Sequence, residues 1–149
     1  MDVIKDIRTA YFQAINGLTY ERVVIPIFFE LVNPSVPIAT VNGAEVYIVI
    51  QDQQQYDSAR QSFCTYNVVG DITIRVVSKF IKKGASTIVE DIASEIDDRI
   101  RGLTKKRDEN LIGMSKIKLS VNRLLVENSD TRTAYSKIMT YQNELYLVN

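Results

Sequence analysis

The chain has 149 residues, of which 46% are hydrophobic and 24% charged, a composition typical of one globular domain over residues 1–149. Its 18 basic and 18 acidic residues balance, so no overall charge attracts nucleic acid or anionic lipid. Histidine is absent and Cys64 is the single cysteine, so the usual general base, metal ligand and disulfide partner are missing. We therefore expect a protein that is not an enzyme and binds no cofactor or metal.

The longest apolar run, residues 23–29, is far shorter than the roughly 20 residues of a membrane-spanning helix. The first six residues include three charged ones, Asp2, Lys5 and Asp6, where a signal peptide would carry an apolar stretch. Both features predict a protein that is assembled in a cytoplasm and makes no contact with a membrane.

Apolar spacing predicts one helix and then strands in the first half of the chain. A helix is expected over about residues 2–16, where apolar residues recur every three or four positions. Residues 23–29 favour a strand but contain Pro26, which suits an edge strand or one that breaks partway. Asn42-Gly43 is a turn signal, and the nearly continuous apolar run 44–50 after it predicts the middle strand of the sheet.

A long β-hairpin is predicted next. Residues 51–67 are polar and rich in glutamine, and we expect them to form a hairpin arm that protrudes from the body. Residues 69–80 alternate between apolar and polar side chains, which predicts a strand paired with the one that ends near Gln51.

The second half predicts one more helix and two more strands. Ser86 is a candidate helix cap, and a stripe of apolar residues follows it at helical spacing. The stripe consists of Val89, Ile92, Ala93, Ile96, Ile100 and Leu103. Strands are expected over about 115–126 and 131–142. The predicted fold is α+β in the order α-β-β-β-α-β-β: a mostly antiparallel sheet of four to five strands, two helices packed on one face, and the protruding arm.

Three carboxylates lie at i, i+4 and i+7 of the second helix: Asp91, Glu95 and Asp98. Such a face could bind Mg²⁺ and support a magnesium-dependent hydrolase. The same spacing favours a plainer interpretation, because Glu95 can pair with Arg99, and Asp97 or Asp98 with Arg101. We expect a solvated face with ion pairs.

Two basic clusters flank this helix: Lys79, Lys82 and Lys83 before it, and Arg99, Arg101, Lys105, Lys106 and Arg107 at its end. No base-stacking aromatic residues are interleaved with them, so an exposed loop, or complementary charge between neighbouring subunits, is favoured over sequence-specific nucleic-acid binding. Aromatic residues dispersed in the predicted arm indicate a partner surface. The predicted subunit interface therefore consists of Tyr56, Phe63, Tyr66, Lys82, Lys83, Arg99 and Arg101.

Several segments carry a family resemblance over most of the chain. They are the opening helix DVIKDIR at 2–8, the proline-marked segment leading into VYIVI at 46–50, the hairpin strand GDITIRVVS at 70–78, the helix VEDIASEI at 89–96 and the two final strands. Taken together they resemble the tail-completion family of tailed phages, which comprises tail terminators and related head-to-tail joining proteins. The long stretch between Pro37 and Gly70 and the segment 105–113 depart from the family pattern.

The resemblance implies a structural virion protein of the neck or tail. Its copies are expected to close into a ring of six or twelve that joins the portal or an adaptor to the tail, while genomic DNA passes through the lumen without sequence-specific contacts. The partners implied are other copies of the chain and the adjacent portal, connector and tail proteins. Two other classes stay open: an intracellular protein-interaction module and a weak nucleic-acid-binding module.

Overall fold

A computed structural model describes residues 4–30, 38–60, 65–81, 84–104 and 114–148. Its elements, in chain order, are α1 (Ile4–Ile15), β1 (Thr19–Tyr20), β2 (Val23–Val24), β3 (Ile27–Phe29), β4 (Ala39–Val41), β5 (Ala44–Arg60), β6 (Thr65–Ile81), α2 (Thr87–Arg101), a 3-10 turn (Gly102–Thr104), β7 (Met114–Asn128) and β8 (Arg132–Val148). The predicted α+β class is confirmed. The predicted sheet of four to five strands was too small, because two short strands, β3 and β4, join the four long ones in the main sheet.

The main sheet has six strands in the order β3-β5-β6-β8-β7, with β4 also paired to β5. All pairs in it are antiparallel except β3 with β5, so the sheet is mixed but mostly antiparallel. The strand that begins at Ala44 was predicted to lie in the middle, but β6 takes that place. The reason is that β8 returns to pair with β6 along its whole length, from Thr65 opposite Val148 to Ile81 opposite Arg132.

Pro26 divides the apolar run 23–29 into two strands, as one of the two interpretations predicted. Residues on its N-terminal side form β2, which pairs with β1, and residues on its C-terminal side form β3, which runs parallel to β5. Proline has no backbone N–H to donate, but its carbonyl still accepts a hydrogen bond from the Ile48 amide at 3.0 Å. The Asn42-Gly43 turn between β4 and β5 is also confirmed, with φ of 49° and 81°.

The predicted hairpin is formed by β5 and β6, which pair from Ala44 opposite Phe80 to Arg60 opposite Tyr66. Two irregularities interrupt its register, between Gln51 and Gln54 and between Asp57 and Arg60. Because β8 stays paired with β6 as far as Thr65, the outer part of the hairpin is joined to a third strand. The polar segment 142–144 made β8 look shorter in the sequence than it is.

Both helices bury their apolar stripes in one core on a single face of the sheet. From the helices the core contains Ile7, Ala10, Tyr11, Ile15, Ile88, Val89, Ile92, Ala93, Ile96 and Ile100. The alternating residues of β5 and β6 on that face complete it: Val46, Ile48, Ile50, Ile72, Ile74 and Val76. Ser86 occupies the predicted N-cap position of α2, but its side chain makes no capping hydrogen bond.

A buried polar link fastens α1 to the sheet. The Tyr11 hydroxyl donates a hydrogen bond to Asn143 Oδ1, and Asn143 Nδ2 donates to the Gly70 carbonyl at 3.0 Å. Tyr11 and Asn143 are both fully buried. Burial dominates the surroundings of Tyr11 and raises the pKa of its hydroxyl, so that group stays neutral and remains a donor. At Gly70 the helix comes so close that an added Cβ would overlap Ile7 Cδ1.

Replacing Tyr11 by phenylalanine is predicted to destabilise the fold by about 1–3 kcal/mol, because Asn143 Oδ1 would remain buried without its donor. Urea unfolding followed by circular dichroism measures this loss. Tyr20→Phe is the matched control, since it removes an exposed hydroxyl that donates to Asp91 at 2.9 Å. The control should cost less than about 1 kcal/mol; equal losses in the two variants would contradict the role of the buried link.

Candidate interaction surface

The outermost strand of the sheet, β7, exposes apolar side chains in the isolated chain. Val121, Leu124, Leu125 and Val126 are 42%, 38%, 37% and 50% exposed. Among the described strands only β8 pairs with β7, so the backbone amides and carbonyls on its outer side face away from the sheet. An exposed edge strand with apolar side chains is a site where another chain can add.

The exposed residues of β7 lie on both faces of the sheet. Leu125 is opposite Ser136, which is opposite Val77 on the face without helices. Leu124 and Val126 alternate with it and point to the other face. There α2 packs against β6 and β8, nearer the middle of the sheet, and residues 122–128 are all exposed. The end of β7 therefore extends past the helices that cover the core.

An irregularity in the pairing between Leu119 and Val121 divides β7 into two halves. The half before it carries exposed Lys116 and Lys118, while Ile117 and Leu119 pack against the core. Lysines and bulges are the usual means by which proteins protect a sheet edge from added strands. The half after it, residues 122–128, has no lysine and no bulge; its charged residues are Arg123 and Glu127, and they flank the apolar residues Leu124, Leu125 and Val126.

A second exposed apolar patch lies near the opposite edge. Val24 of β2 is 60% exposed and Phe29 of β3 is 44% exposed. Phe29 packs against Phe12 of α1 with ring centroids 5.5 Å apart, and the Arg8 guanidinium carbon lies 5.8 Å from the Phe29 ring centroid. Because β3 and β7 end the same sheet, Phe29 and the exposed end of β7 lie at its opposite edges, whereas Val24 belongs to the separate two-stranded sheet of β1 and β2.

The face of the sheet without helices carries a small apolar cluster of Phe28, Tyr47, Val49 and Val77. Beside it is a groove of about 290 Å³, whose lining includes Arg75, Lys79 and Glu127. Arg75 Nη2 donates to Ser136 Oγ at 3.0 Å, and Lys79 Nζ lies 5.5 Å from the Tyr47 ring centroid. These contacts hold both cations against the surface of their own chain.

The ion pairs predicted for α2 are confirmed. Arg99 Nε lies 3.0 Å from Glu95 Oε1, and Arg101 Nε lies 2.8 Å from Asp97 Oδ2. The hydrogen bond and charge of Asp97 raise the pKa of Arg101. Asp97 Oδ1 also accepts a hydrogen bond from the Tyr141 hydroxyl at 2.8 Å. Asp97 therefore forms an ion pair with Arg101 on the surface of α2 and also links α2 to Tyr141 of β8.

The carboxylates that were considered for magnesium binding make other contacts. Asp91 accepts a hydrogen bond from Tyr20, and Glu95 is paired with Arg99. Within the described part of the chain there is no group of three or more His, Cys, Asp or Glu side chains placed to hold a metal ion.

The predicted interface residues are placed as follows. Arg99 and Arg101 lie in the last turn of α2, and Arg99 Nη1 also donates to the Ala14 carbonyl at 3.4 Å. The backbones of Tyr56 and Tyr66 belong to the outer part of β5 and β6, and their side chains lie outside the described part of the structure. Phe63, Lys82 and Lys83 lie outside the described residues altogether.

The sequence reasoning missed the exposed end of β7. The signal was present, because Leu124, Leu125 and Val126 are three consecutive apolar residues in a strand that otherwise alternates. Such a run places apolar side chains on both faces of a strand. Only the position of β7 at the edge, past α2, shows that both faces are exposed.

Comparison with known proteins gave no match, either to a family model or to a curated protein. Neither described helix is long and apolar enough to cross a membrane.

Asp71 of β6 is predicted to make stability depend on pH. Its Oδ1 is buried without a hydrogen-bond partner, and this burial raises the pKa of the carboxyl. A raised pKa in the folded state means that the folded chain holds the proton more tightly, so stability falls as the pH rises from the ordinary aspartate value through the raised one. Asp71→Asn should therefore melt at a higher temperature than the parent at pH 7.

The two should converge near pH 3, where both side chains are neutral. Thermal melts at the two pH values test this expectation. Asp98→Asn, which removes an exposed carboxylate from α2, is the control and should follow the parent at pH 7. A parent that is the more stable protein at pH 7 would contradict the effect of burial on Asp71.

Proposed function

We propose that this chain is a structural subunit that assembles with copies of itself into a ring in the neck or tail of a tailed phage. The observation that carries the proposal is the presence of exposed apolar side chains at both edges of the main sheet, those of β7 at one edge and Phe29 of β3 at the other, with Val24 in the neighbouring strand β2. We call residues 121–126 of β7 the β7 patch, and Val24 with Phe29 the β3 patch. A ring needs two contacts on every copy, and the two patches supply two separated surfaces.

Burial of these patches provides a physical reason for assembly. Removing apolar surface from water stabilises an assembly by about 25 cal/mol for each Å². Single exposed apolar residues are ordinary on a protein surface, but a cluster on an edge strand also offers unpaired backbone groups to a partner. A second copy that covered the β7 patch would satisfy both the side chains and the backbone.

The assignment to a phage neck or tail is supported by the architecture. The resemblance implies a sheet with helices on one face, and the core combines α1 and α2 with one face of the sheet. We propose that the outer part of the β5–β6 hairpin is an arm that contacts a neighbouring copy through Tyr56, Phe63 and Tyr66. The basic residues Lys82, Lys83, Arg99 and Arg101 would face the acidic surface of a neighbour.

In this proposal the ring is part of the virion and is assembled in the host cytoplasm. It joins the portal or connector to the tail and lets the genome pass through its lumen. A balance of 18 basic and 18 acidic residues suits a lumen that must not hold DNA tightly.

Assembly should be concentration-dependent and sensitive to charge in either patch. Val24→Lys and Leu124→Lys each place a charge in an apolar contact, and each should shift the wild-type assembly toward smaller species by light scattering after size exclusion. Gln13→Lys, at an exposed position of α1, adds the same charge outside both patches and should leave assembly unchanged.

Negative-stain images should show closed rings with an opening wide enough for duplex DNA. A wild-type protein that stays monomeric at high concentration, or that forms open filaments, would contradict the ring. If the wild type instead binds DNA as a monomer, with affinity that falls steeply as salt is raised, the nucleic-acid-binding alternative is correct.

A further inference from the structure

The sequence of residues 122–128, the second half of β7, is complementary to its own reverse. Residues 122–128 read N-R-L-L-V-E-N. When a second copy of this segment runs antiparallel to the first, with Leu125 as the centre, each residue meets a suitable partner. Leu125 meets Leu125 of the second copy, Leu124 meets Val126, Arg123 meets Glu127, and Asn122 meets Asn128. Every pair except the central one occurs twice.

The side chains in this register also lie on matching faces of the sheet. Directly opposed residues of antiparallel strands point to the same face. Arg123, Leu125 and Glu127 would therefore form one row on the face without helices, with two charge pairs flanking an apolar pair. Leu124 and Val126 would form apolar pairs on the other face. Opposite charges and apolar pairs across strands each contribute roughly 0.2–1 kcal/mol relative to alanine pairs.

The groups needed for this pairing are available. Residues 122–128 are all exposed, and only β8 among the described strands pairs with β7. No described residue forms an ion pair with Arg123 or Glu127. The seven residues give an edge of about 23 Å at roughly 3.3 Å per residue. A register centred on one residue is compatible with either type of antiparallel pair.

Alternative registers fit less well. Centring the pair on Arg123 would align Val121 with Leu125 but place the two Arg123 side chains directly opposite each other, and directly opposed like charges are destabilising. Centring it on Leu124 would place Arg123 opposite Leu125 and Val121 opposite Glu127, so neither charge would have a charged partner. The register centred on Leu125 alone combines apolar pairs with opposite charges.

We propose that two copies of this chain join through residues 122–128 of β7, in an antiparallel register centred on Leu125, so that their sheets become continuous. The inference rests on the proposed function, since both require self-association, and it adds that the β7 contact is symmetric. A symmetric contact closes on itself, so a ring needs the β3 patch as its second contact. Copies then alternate in orientation, the number of copies is even, and the two ends of the ring are equivalent, so the portal or connector and the tail would bind the same surface at opposite ends.

Disulfide cross-linking tests the register directly. In a Cys64→Ser background, Leu125→Cys places two thiols opposite each other at a Cα separation of about 4.5–5.5 Å, within the range of a disulfide. Leu124→Cys is the matched control, because the two Leu124 positions are diagonal neighbours about 7–8 Å apart. We expect mild oxidation to link Leu125→Cys efficiently and Leu124→Cys poorly. A mixture of Leu124→Cys with Val126→Cys should link the two different chains.

A charge exchange provides an independent test that needs no cross-link. Arg123→Glu and Glu127→Arg each turn two attractive pairs into repulsive ones, and each should weaken the pair at least about tenfold in sedimentation equilibrium. The double variant Arg123→Glu/Glu127→Arg restores opposite charges in the same register. Its dissociation constant should return to within about threefold of the parent. All these positions are exposed, and circular dichroism checks that each variant is folded.

The outcomes separate this inference from the proposed function. Equal cross-linking of Leu125→Cys and Leu124→Cys, or a double variant as weak as the single ones, would overturn the symmetric register. If rings still formed in that case, the proposed function would stand. A wild type that neither cross-links nor assembles at any concentration would overturn both proposals. Selective linking at Leu125 without rings would support the symmetric pair and contradict the ring.

Discussion

Two helices cover only the middle of a sheet that is five strands wide at its broadest. α1 packs against β5 and β6, and α2 packs against β6 and β8. The axes of five strands, separated by four spacings of about 4.8 Å, span roughly 19 Å, whereas the axes of two packed helices are only about 8–10 Å apart. The strands under the helices become the core, and the end of β7 lies past it with both faces exposed. The exposure of the end of β7 follows from this difference in width.

The position of the helices is fixed by polar groups of a single strand. In β8, Asn143 accepts a hydrogen bond from Tyr11 of α1, and Tyr141 donates one to Asp97 of α2. The rings of Tyr11 and Tyr141 also meet edge to face, with centroids 5.9 Å apart. Apolar packing alone tolerates small shifts of a helix along a sheet, but buried hydrogen bonds do not, because a displaced partner is left unsatisfied. The area of sheet that stays uncovered is therefore set by β8.

The two apolar patches differ in what they offer a partner. The β3 patch packs partly against α1 through Phe12 and Arg8, so it presents side chains on a surface its own chain supports. The β7 patch presents an open backbone edge as well as side chains. A contact through the β3 patch depends on the shape of the two surfaces. A contact through the β7 patch also fixes the register in which the two strands pair. In the proposed ring, a symmetric β7 contact together with a second contact at β3 would give a closed assembly of alternating copies.

The sequence by itself determined the local structure. Spacing of apolar residues located both helices, proline divided the run at residues 23–29, Asn42-Gly43 made its turn, and the i, i+4 spacing paired Glu95 with Arg99 and Asp97 with Arg101. These features depend on neighbours within a few positions, so they can be read along the chain. The self-complementary sequence of residues 122–128 is also a local feature that can be read along the chain.

Tertiary structure alone decided which strand is central, how far β8 extends and which apolar residues stay exposed. The last strand was predicted to end just before Asn143, because nothing in the neighbouring sequence explains why this polar residue is buried. Asn143 is buried because it accepts a hydrogen bond from Tyr11, which lies 132 positions away. The apolar run of Leu124, Leu125 and Val126 shows that both faces of this strand carry apolar side chains, but not whether those side chains are buried. They are exposed because β8 places β7 at the edge, where the helices do not reach, and that placement is a property of strand order rather than of any short segment.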